Sequence, residues 1–591
     1  MRTKLSTRAI RPILVAASVA ASLGVSACTG AIGGMPSNEP PATGAAGATA
    51  AGAAGGSSTG SAGHPAGTGT AGSGAGGAAS LLNLPGSPLP TTSLHKLTAF
   101  EFANSMQDLL GSDVPLAPVE QDTYIGGFAT VGASSVSISP AGVEQYDQIF
   151  SNAAAYAFAD AAHASPLLAC MPKGPTDAAC LTQALNAFGR RAFRRPLRAD
   201  ETTLFLNIAT TIAGQAGSSV LTGLRYAVEA ILGSPDFIYR VEVGAPSPAD
   251  GGRMKYTSFE MASRLAATLW ASVPDDVLLD AAAKDTLSTP AGTMAQAQRM
   301  LADPRAHRSV VAFVDQLFDA YSLSQATKDA TLFPAYTPTL QTAMMQELEL
   351  RVDDMVFTQK GDYLSLFDST STFVNKELAA FYGVPFTATD TGFHKVDLPA
   401  DTPRVGILAS AGLLAGHGHE QLTSPTHRGK YVREMMLCQT IPPPPPGVPP
   451  LPPTAPPGST VRQILTTHRS AAQCSACHGL MDPIGFAMEQ FDTTGQYRTT
   501  DNGQTIDASG DLDGVQFNSI AQLGKAVRNN AVAGPCIVSK VYENALGRLP
   551  IDMDQTALGN LIGEFVKNGN KIDQLLVNLV ANDGFRFVAP M

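Results

Sequence analysis

The clearest chemical pattern in the chain is a short run with two cysteines and a histidine, Cys474-Ser475-Ala476-Cys477-His478. Two thiols at this spacing, followed directly by an imidazole, form the pattern by which a c-type haem is attached to a protein. Cys474 and Cys477 would form thioether bonds with the porphyrin, and a ring nitrogen of His478 would bind the iron as proximal ligand. The sequence therefore predicts one covalently bound haem c.

Two other kinds of site share the C-x-x-C spacing, namely a redox dithiol and half of a zinc site. A redox dithiol is expected at a helix start within alternating strands and helices, whereas the pattern of this chain is mostly helical. A zinc site needs two more ligands of matching type, and the sequence contains no second C-x-x-C. Haem is the favoured interpretation, and the two alternatives stay open at this point.

The second axial ligand of the iron is not fixed by the motif. His468 is the first candidate, because the six residues from it to Cys474 span about 20 Å when extended, enough to pass the porphyrin edge. Further candidates are His417, His419 and His427. Met481 is expected on the same haem face as His478, and Met488 in the core. An open sixth position would turn an electron carrier into a haem enzyme or sensor.

The elements that must position these residues are mostly helices. Residues 94–110 carry apolar side chains at helical spacing and end at Gly111, which predicts a helix. After the motif, Asp482 is expected to cap a helix with Pro483 in its first turn. The strand candidates are residues 404–408 and 505–515.

A proline-rich run, residues 441–457, lies between Cys438 and the haem motif. Such a run forms neither a helix nor a central strand, and polyproline II is expected. We interpret it as a stiff arm that places the haem against the body, with recruitment of a proline-binding module as the alternative.

The N-terminal segment, residues 1–27, has the pattern of a secretory signal, with basic residues ahead of a short apolar run. Its end, Val25-Ser26-Ala27-Cys28, is similar to a bacterial lipobox, which implies cleavage before Cys28 and lipidation of that thiol. An ordinary signal peptide with a chance cysteine is the alternative. Residues 28–92, rich in Gly, Ala, Ser and Thr, are expected to form a disordered tether.

The charge of the chain argues against nucleic acid as a partner. The formal net charge is -11, and removing the signal takes basic residues away. No other apolar run approaches the length needed to cross a bilayer, so lipid is the only expected membrane attachment. The sequence thus predicts an exported lipoprotein of the bacterial cell envelope, at the outer membrane or facing the periplasm.

The cysteine count predicts two disulfides. In an oxidising compartment each thiol is expected to have a partner. With Cys28 assigned to lipid and two cysteines to haem, four of the 7 Cys are left. Cys170 and Cys180 flank a short loop and form the local pair, and Cys438 with Cys536 follows by elimination. Free buried cysteines are the alternative.

Several motifs along the body together resemble a known family. They are Leu94-His95-Lys96-Leu97-Thr98, Phe188-Gly189-Arg190-Arg191, Phe373-Val374-Asn375, Arg428-Gly429-Lys430, Asp482-Pro483-Ile484-Gly485-Phe486 and Leu546-Gly547-Arg548. Their order resembles that of the planctomycete-type cytochrome C-like proteins of planctomycetes and myxobacteria, whose haem module lies among companion domains of unknown function. The resemblance implies companion domains at 93–165, 166–245, 253–388 and 515–591, and a haem module at 400–505 that includes the proline-rich arm.

The expected fold class is mainly α, a multi-domain helical body with a c-type haem module, few short strands and a disordered N-terminal tether. The expected function is that of a lipid-anchored c-type cytochrome that exchanges electrons with a redox partner protein or a small-molecule substrate at the envelope. A haem-dependent oxidoreductase with an open sixth iron position is one alternative. A surface scaffold with structural haem or none is the other.

Overall fold

The computed structural model describes residues 94–443, 456–468 and 472–588, and it describes residues 467, 468, 472 and 473 by their backbone alone. The signal-like segment, the tether, Cys28 and most of the proline-rich arm lie outside the described residues. Helices dominate the described part, and its strands form short two-stranded pairs. The predicted mainly α class with few short strands is confirmed.

The first helical region begins with a strand, so the predicted helix start at Leu94 is wrong. Leu94–Lys96 forms β1 and pairs antiparallel with Tyr239–Val241, β2. Thr98 then caps the helix Ala99–Leu110, α1. Its hydroxyl accepts a hydrogen bond from the backbone N–H of Glu101, and the Glu101 carboxylate accepts one from the N–H of Thr98. This reciprocal capping box fixes the helix start five residues later than the apolar spacing suggested.

The helices that follow α1 are α2 (Ala129–Ala133), α3 (Pro140–Ala157), α4 (Ala161–Ala164), α5 (Ala178–Ala192), α6 (Ala199–Ala213), α7 (Val220–Leu232) and α8 (Pro235–Ile238). All of them except α2 enclose the first core, around Phe102, Tyr146, Phe150 and Phe237. Since β2 follows α8 and pairs with β1, the two ends of this region meet.

The middle region is built around the single tryptophan, Trp270, which is fully buried and donates its indole N–H to the carbonyl oxygen of Met300. Its helices are α9 (Ser258–Trp270), α10 (Asp276–Ala283), α11 (Pro290–Leu301), α12 (Arg305–Leu317), α13 (Ala320–Gln325), α14 (Pro338–Asp353) and α15 (Lys376–Tyr382). Its strands are β3 (Ala245–Ser247), β4 (Arg253–Lys255), β5 (Ser371–Val374) and β6 (His394–Asp397). A π-helical segment, Asp354–Gln359, continues α14.

The region that contains the haem motif has four helices: α16 (Ala411–Gly416), α17 (Pro425–Tyr431), α18 (Val461–His468) and α19 (Ala472–Phe486). A π-helical segment, Val432–Met436, extends α17. The predicted strand at residues 404–408 is wrong. Arg404 is buried and donates to the carbonyl oxygens of Ala409 and Gly495, which turns the chain into a single 3-10 turn at Ile407–Ala409.

The C-terminal region starts with two short hairpins and ends in helices. The hairpins pair β7 (Thr500–Asp501) with β8 (Gln504–Thr505) and β9 (Gly510–Leu512) with β10 (Val515–Phe517), so the predicted strand content near residues 505–515 is present. The helices are α20 (Ile520–Arg528), α21 (Ala533–Leu546), α22 (Gln555–Lys567), α23 (Ile572–Leu579) and α24 (Asp583–Arg586). Their apolar faces join one continuous core with α9, α12, α14 and α19.

Two disulfides stabilise this arrangement, as the cysteine count predicted. One joins Cys170 to Cys180, and the other joins Cys438, just after the π-helical extension of α17, to Cys536 on α21. The second bridge thus ties the haem-motif region to the C-terminal helices. Within the part of the chain that the structure describes, no helix has both the length and the apolar character to span a bilayer.

Candidate haem attachment site

The three residues of the motif lie together on one face of α19. Cys477 and His478 follow Cys474 by three and four residues in a continuous helix, and side chains at this spacing share a helix face. Both thiols are outside any disulfide and are partly accessible. The side chain of His478 keeps 19 % of its surface accessible. The helix therefore presents two reactive sulfurs and an imidazole in the same direction.

His478 is held by a carboxylate one helical turn further on. Its Nδ1 lies 3.1 Å from each carboxylate oxygen of Asp482. The Asp482 side chain is fully buried, and its Oδ1 accepts a hydrogen bond from the Thr426 hydroxyl at 2.8 Å. An ionised carboxylate only accepts hydrogen bonds, so Nδ1 of His478 carries the proton. The nitrogen that this tautomer offers to a metal is Nε2.

The predicted role of Asp482 as a helix cap is wrong, because α19 starts at Ala472 and runs through this position. Pro483 accordingly lies inside the last turn of the helix rather than in its first. Proline has no N–H for the carbonyl of Gly479, which is at an exposed position where water can take the donor's place. The i, i+4 spacing of His478 and Asp482 was the sequence signal for their contact.

Helix α17 supports α19 through two glycines. A Cβ on Gly429 would overlap the carbonyl oxygen of Met481, and a Cβ on Gly485 would overlap that of Pro425. The two helix backbones therefore touch without side chains between them. This close approach places the Thr426 hydroxyl against Asp482.

Two buried arginines add further contacts, one to the segment that follows α19 and one to α19 itself. Arg428 is fully buried, and its guanidinium donates to the carbonyl oxygens of Leu414, Met488, Phe491 and Asp492. Arg433 donates to the carbonyl oxygen of Leu480 and to the carboxylate of Asp513 on the β9–β10 turn. The sequence did not indicate these hydrogen bonds, because most of the acceptors are backbone carbonyls, which every residue has.

The predicted distal histidines lie in two places. His468 is the last residue of α18, and its side chain lies outside the described residues. The rings of His419 and His427 lie 5.3 Å apart on the surface. Surrounding protein atoms and then the neighbouring His419 lower the pKa of His427 to about 4, which keeps its ring neutral.

The side chain of His417 is held by contacts with neighbouring residues of the protein. Its Nδ1 lies 2.9 Å from the carbonyl oxygen of Leu413, and its ring contacts that of Tyr431 with centroids 4.4 Å apart. The loop that carries it is fixed by Lys328, whose ammonium donates to the carbonyl oxygens of Ala415, Gly418 and His419. His417 is thus a structural residue of this loop.

The two methionines that follow the motif, Met481 and Met488, are both buried. Met488 is fully buried in the main core, which confirms its predicted packing role, and Met481 is buried beneath α17. Among the described residues, no group of three or more His, Cys, Asp or Glu could hold a metal ion on its own.

The donor set of α19 fits a covalently attached haem. The two thiols are available for thioether bonds, and they share a face with a histidine whose protonated Nδ1 is already engaged. The thiols and the histidine are the only parts that the attachment chemistry requires from the protein.

Four families, each described as a protein of unknown function, match parts of the chain. They are DUF1587 (PSD3) at residues 95–159, DUF1595 (PSD5) at 180–242, DUF1592 (PSD4) at 256–384 and DUF1588 (PSCyt3) at 404–501. The last of these ranges contains the C-x-x-C-H motif and the whole of α19. The searches of curated proteins and of solved structures found no match.

Proposed function

Because the chain belongs to the planctomycete cytochrome-like domain family, we propose that it binds one haem c and transfers electrons at the bacterial cell envelope. Cys474 and Cys477 form the thioether bonds, and His478 is the proximal iron ligand. One observation carries the proposal: α19 presents two thiols outside any disulfide and a histidine with a defined tautomer on a single face.

The chain's own residues attach, orient and partly cover the group. Bound haem supplies a reversible one-electron couple between ferric and ferrous iron. Asp482 holds the proton on Nδ1 of His478 and so directs Nε2 to the iron. The glycine contact between α17 and α19 and the bond from Arg433 to the carbonyl oxygen of Leu480 keep that helix in place.

The carrier role requires a sixth ligand, for which His468 is our candidate. It ends α18, and residues 469–471 separate it from the start of α19. A neutral histidine is a suitable ligand for a low-spin carrier. An open sixth position would instead fit a haem-dependent oxidoreductase.

The envelope location rests on the N-terminal pattern. The signal-like segment and the lipobox-like end at Cys28 support export and anchoring by lipid. The redox partner is then a protein or a small molecule reachable from the membrane surface.

The direct test is expression of the full chain with c-type maturation machinery, followed by a pyridine haemochrome spectrum. We expect a c-type spectrum that survives acid-acetone extraction, with one haem per chain. Cys474→Ala or Cys477→Ala alone leaves one vinyl group unreacted and shifts the α band towards that of haem b. The double variant loses covalent haem.

The matched control removes the other local cysteine pair. Cys170→Ser with Cys180→Ser breaks a local disulfide, with a sequence separation of 10, in a different region and should leave haem content unchanged. A wild-type chain without extraction-resistant haem would overturn the proposal. Carbon monoxide binding to the reduced protein without denaturant, in both wild type and His468→Ala, would favour the oxidoreductase over the carrier.

A further inference from the structure

The contact between His478 and Asp482 is built by two helices, α19 and α17, rather than by α19 alone. Both oxygens of Asp482 lie 3.1 Å from Nδ1 of His478, so the carboxylate faces the ring nitrogen squarely. Thr426, on the neighbouring helix α17, donates to one of the same oxygens. The acceptor is therefore oriented before any haem is attached.

Burial prevents this carboxylate from turning to solvent. Asp482 is fully buried, whereas His478 keeps part of its surface accessible. The backbone of Gly429 on α17 lies in direct contact with that of Met481, the residue before Asp482, so the two helices are at their closest approach here. A carboxylate removed from water forms stronger hydrogen bonds than an exposed one, and bonds to charged groups are about twice as strong as neutral ones.

A carboxylate that accepts from a metal-bound imidazole changes the ligand at the metal. It draws the Nδ1 proton towards itself and raises the basicity of Nε2. A more basic ligand stabilises the higher oxidation state of iron, and hydrogen bonding around ligands is one of the means by which proteins tune a reduction potential.

We propose that Asp482 is a positioning residue that sets the reduction potential of the haem by making His478 a strongly donating ligand, with Thr426 moderating its effect. This inference rests on the proposed function, because it concerns the same haem. It goes further because it predicts a reduction potential in the lower part of the range accessible to histidine-ligated haem c. The partner is then a donor or acceptor of comparably low potential.

Two variants move the potential in opposite directions. Asp482→Asn keeps the size of the side chain and an oxygen acceptor but removes the negative charge, so the potential should rise. Thr426→Val removes a competing donor while the carboxylate stays, so His478 receives a larger share of the hydrogen bond and the potential should fall. If Asp482 had only a structural role, the two variants would not shift the potential in opposite directions.

The measurement is a spectroelectrochemical titration of the purified full-length holoprotein. The iron–histidine vibration of the ferrous form is followed by resonance Raman in the His468→Ala background, where removal of the proposed sixth ligand leaves the iron five-coordinate. We expect that vibration to move to lower frequency in Asp482→Asn and to higher frequency in Thr426→Val. The control is Asp513→Asn, which removes a carboxylate from the same region but one held by Arg433. Its potential should remain close to that of wild type.

The outcomes separate this inference from the proposed function. Wild-type protein without covalent haem would overturn the haem proposal and this inference with it. Equal potentials in wild type, Asp482→Asn and Thr426→Val, or a shift matched by Asp513→Asn, would overturn the role of Asp482 while leaving haem binding intact. If Asp482→Asn does not fold, the sign of the shift in Thr426→Val decides.

Discussion

Gly429 on α17 lies directly against the backbone carbonyl of Met481 on α19, and the place of a Cβ is already occupied. Because Met481 stands between His478 and Asp482 in α19, this contact sets the distance between α19 and α17. Thr426 reaches Asp482 only at that distance. The geometry of the site therefore requires a glycine at position 429.

The first prediction follows from that contact. Gly429→Ala should destabilise the chain by about 1–3 kcal/mol, since an added methyl group in a filled space forces the helices apart. Gly479→Ala is the control, because it is also a helical glycine, in α19, with nothing within 4 Å of its Cβ. It should be neutral or stabilising by up to about 1 kcal/mol. Urea unfolding measures both, and equal effects would show that the contact is not tight.

The second prediction compares the two disulfides. The Cys438–Cys536 bridge spans 98 residues and the Cys170–Cys180 bridge spans 10. Closing a longer loop restricts the unfolded chain more, so replacing the long-range pair by serine should cost about 4 kcal/mol, and replacing the local pair less, about 3 kcal/mol or under. The measurement is the free energy of unfolding of each double variant. A larger loss for the local pair would contradict the chain-entropy argument here.

Much of this could be predicted from local sequence. Helical spacing indicated the mainly α class, and counting cysteines in an oxidising compartment gave both disulfide pairs. The C-x-x-C-H run indicated the residues to which we propose that haem is attached. These predictions depend on residue types and short spacings, and the physical cause of each pattern is local.

The errors came from contacts between distant segments. Leu94 joins a strand because its partners are residues 239–241, which no local pattern reveals. Asp482 and Pro483 have the residue types of a helix start, yet the packing of α17 on α19 stabilises a helix that runs through them. Tertiary contacts override local propensity at such places.

The third prediction concerns acid sensitivity and a buried cluster far from the haem motif. His95 on β1 lies with Nδ1 2.6 Å from the Ser134 hydroxyl and Nε2 3.4 Å from the Glu242 carboxylate. Burial lowers the pKa of His95 to about 4, although Glu242 opposes this shift. The unfolded chain therefore binds a proton below pH of about 6.5 that the folded chain does not bind until about pH 4.

Stability must then fall as the pH drops through that window, by about 2 kcal/mol between pH 7 and pH 5. His95→Gln removes the titrating group and should flatten this part of the profile. The free energy of unfolding at the two pH values measures the effect, and an unchanged slope in His95→Gln would place the acid sensitivity elsewhere.

The last prediction tests the arginine that holds the chain after α19. Arg428 is fully buried and donates through its two Nη atoms to four carbonyl oxygens, those of Leu414, Met488, Phe491 and Asp492. A lysine has a single nitrogen with three donors, so Arg428→Lys leaves at least one of these carbonyls without a partner.

Each buried polar group left without a partner costs about 1–3 kcal/mol, and the variant should therefore lose about 3 kcal/mol of stability. Arg198→Lys is the control, because the side chain of Arg198 is 59 % exposed. Its effect should stay within about 0.5 kcal/mol. Equal effects of the two substitutions would mean that charge alone matters at Arg428. The planar fork of the guanidinium, which donates to carbonyls of α16 and of the segment after α19, would then have no role in holding that segment.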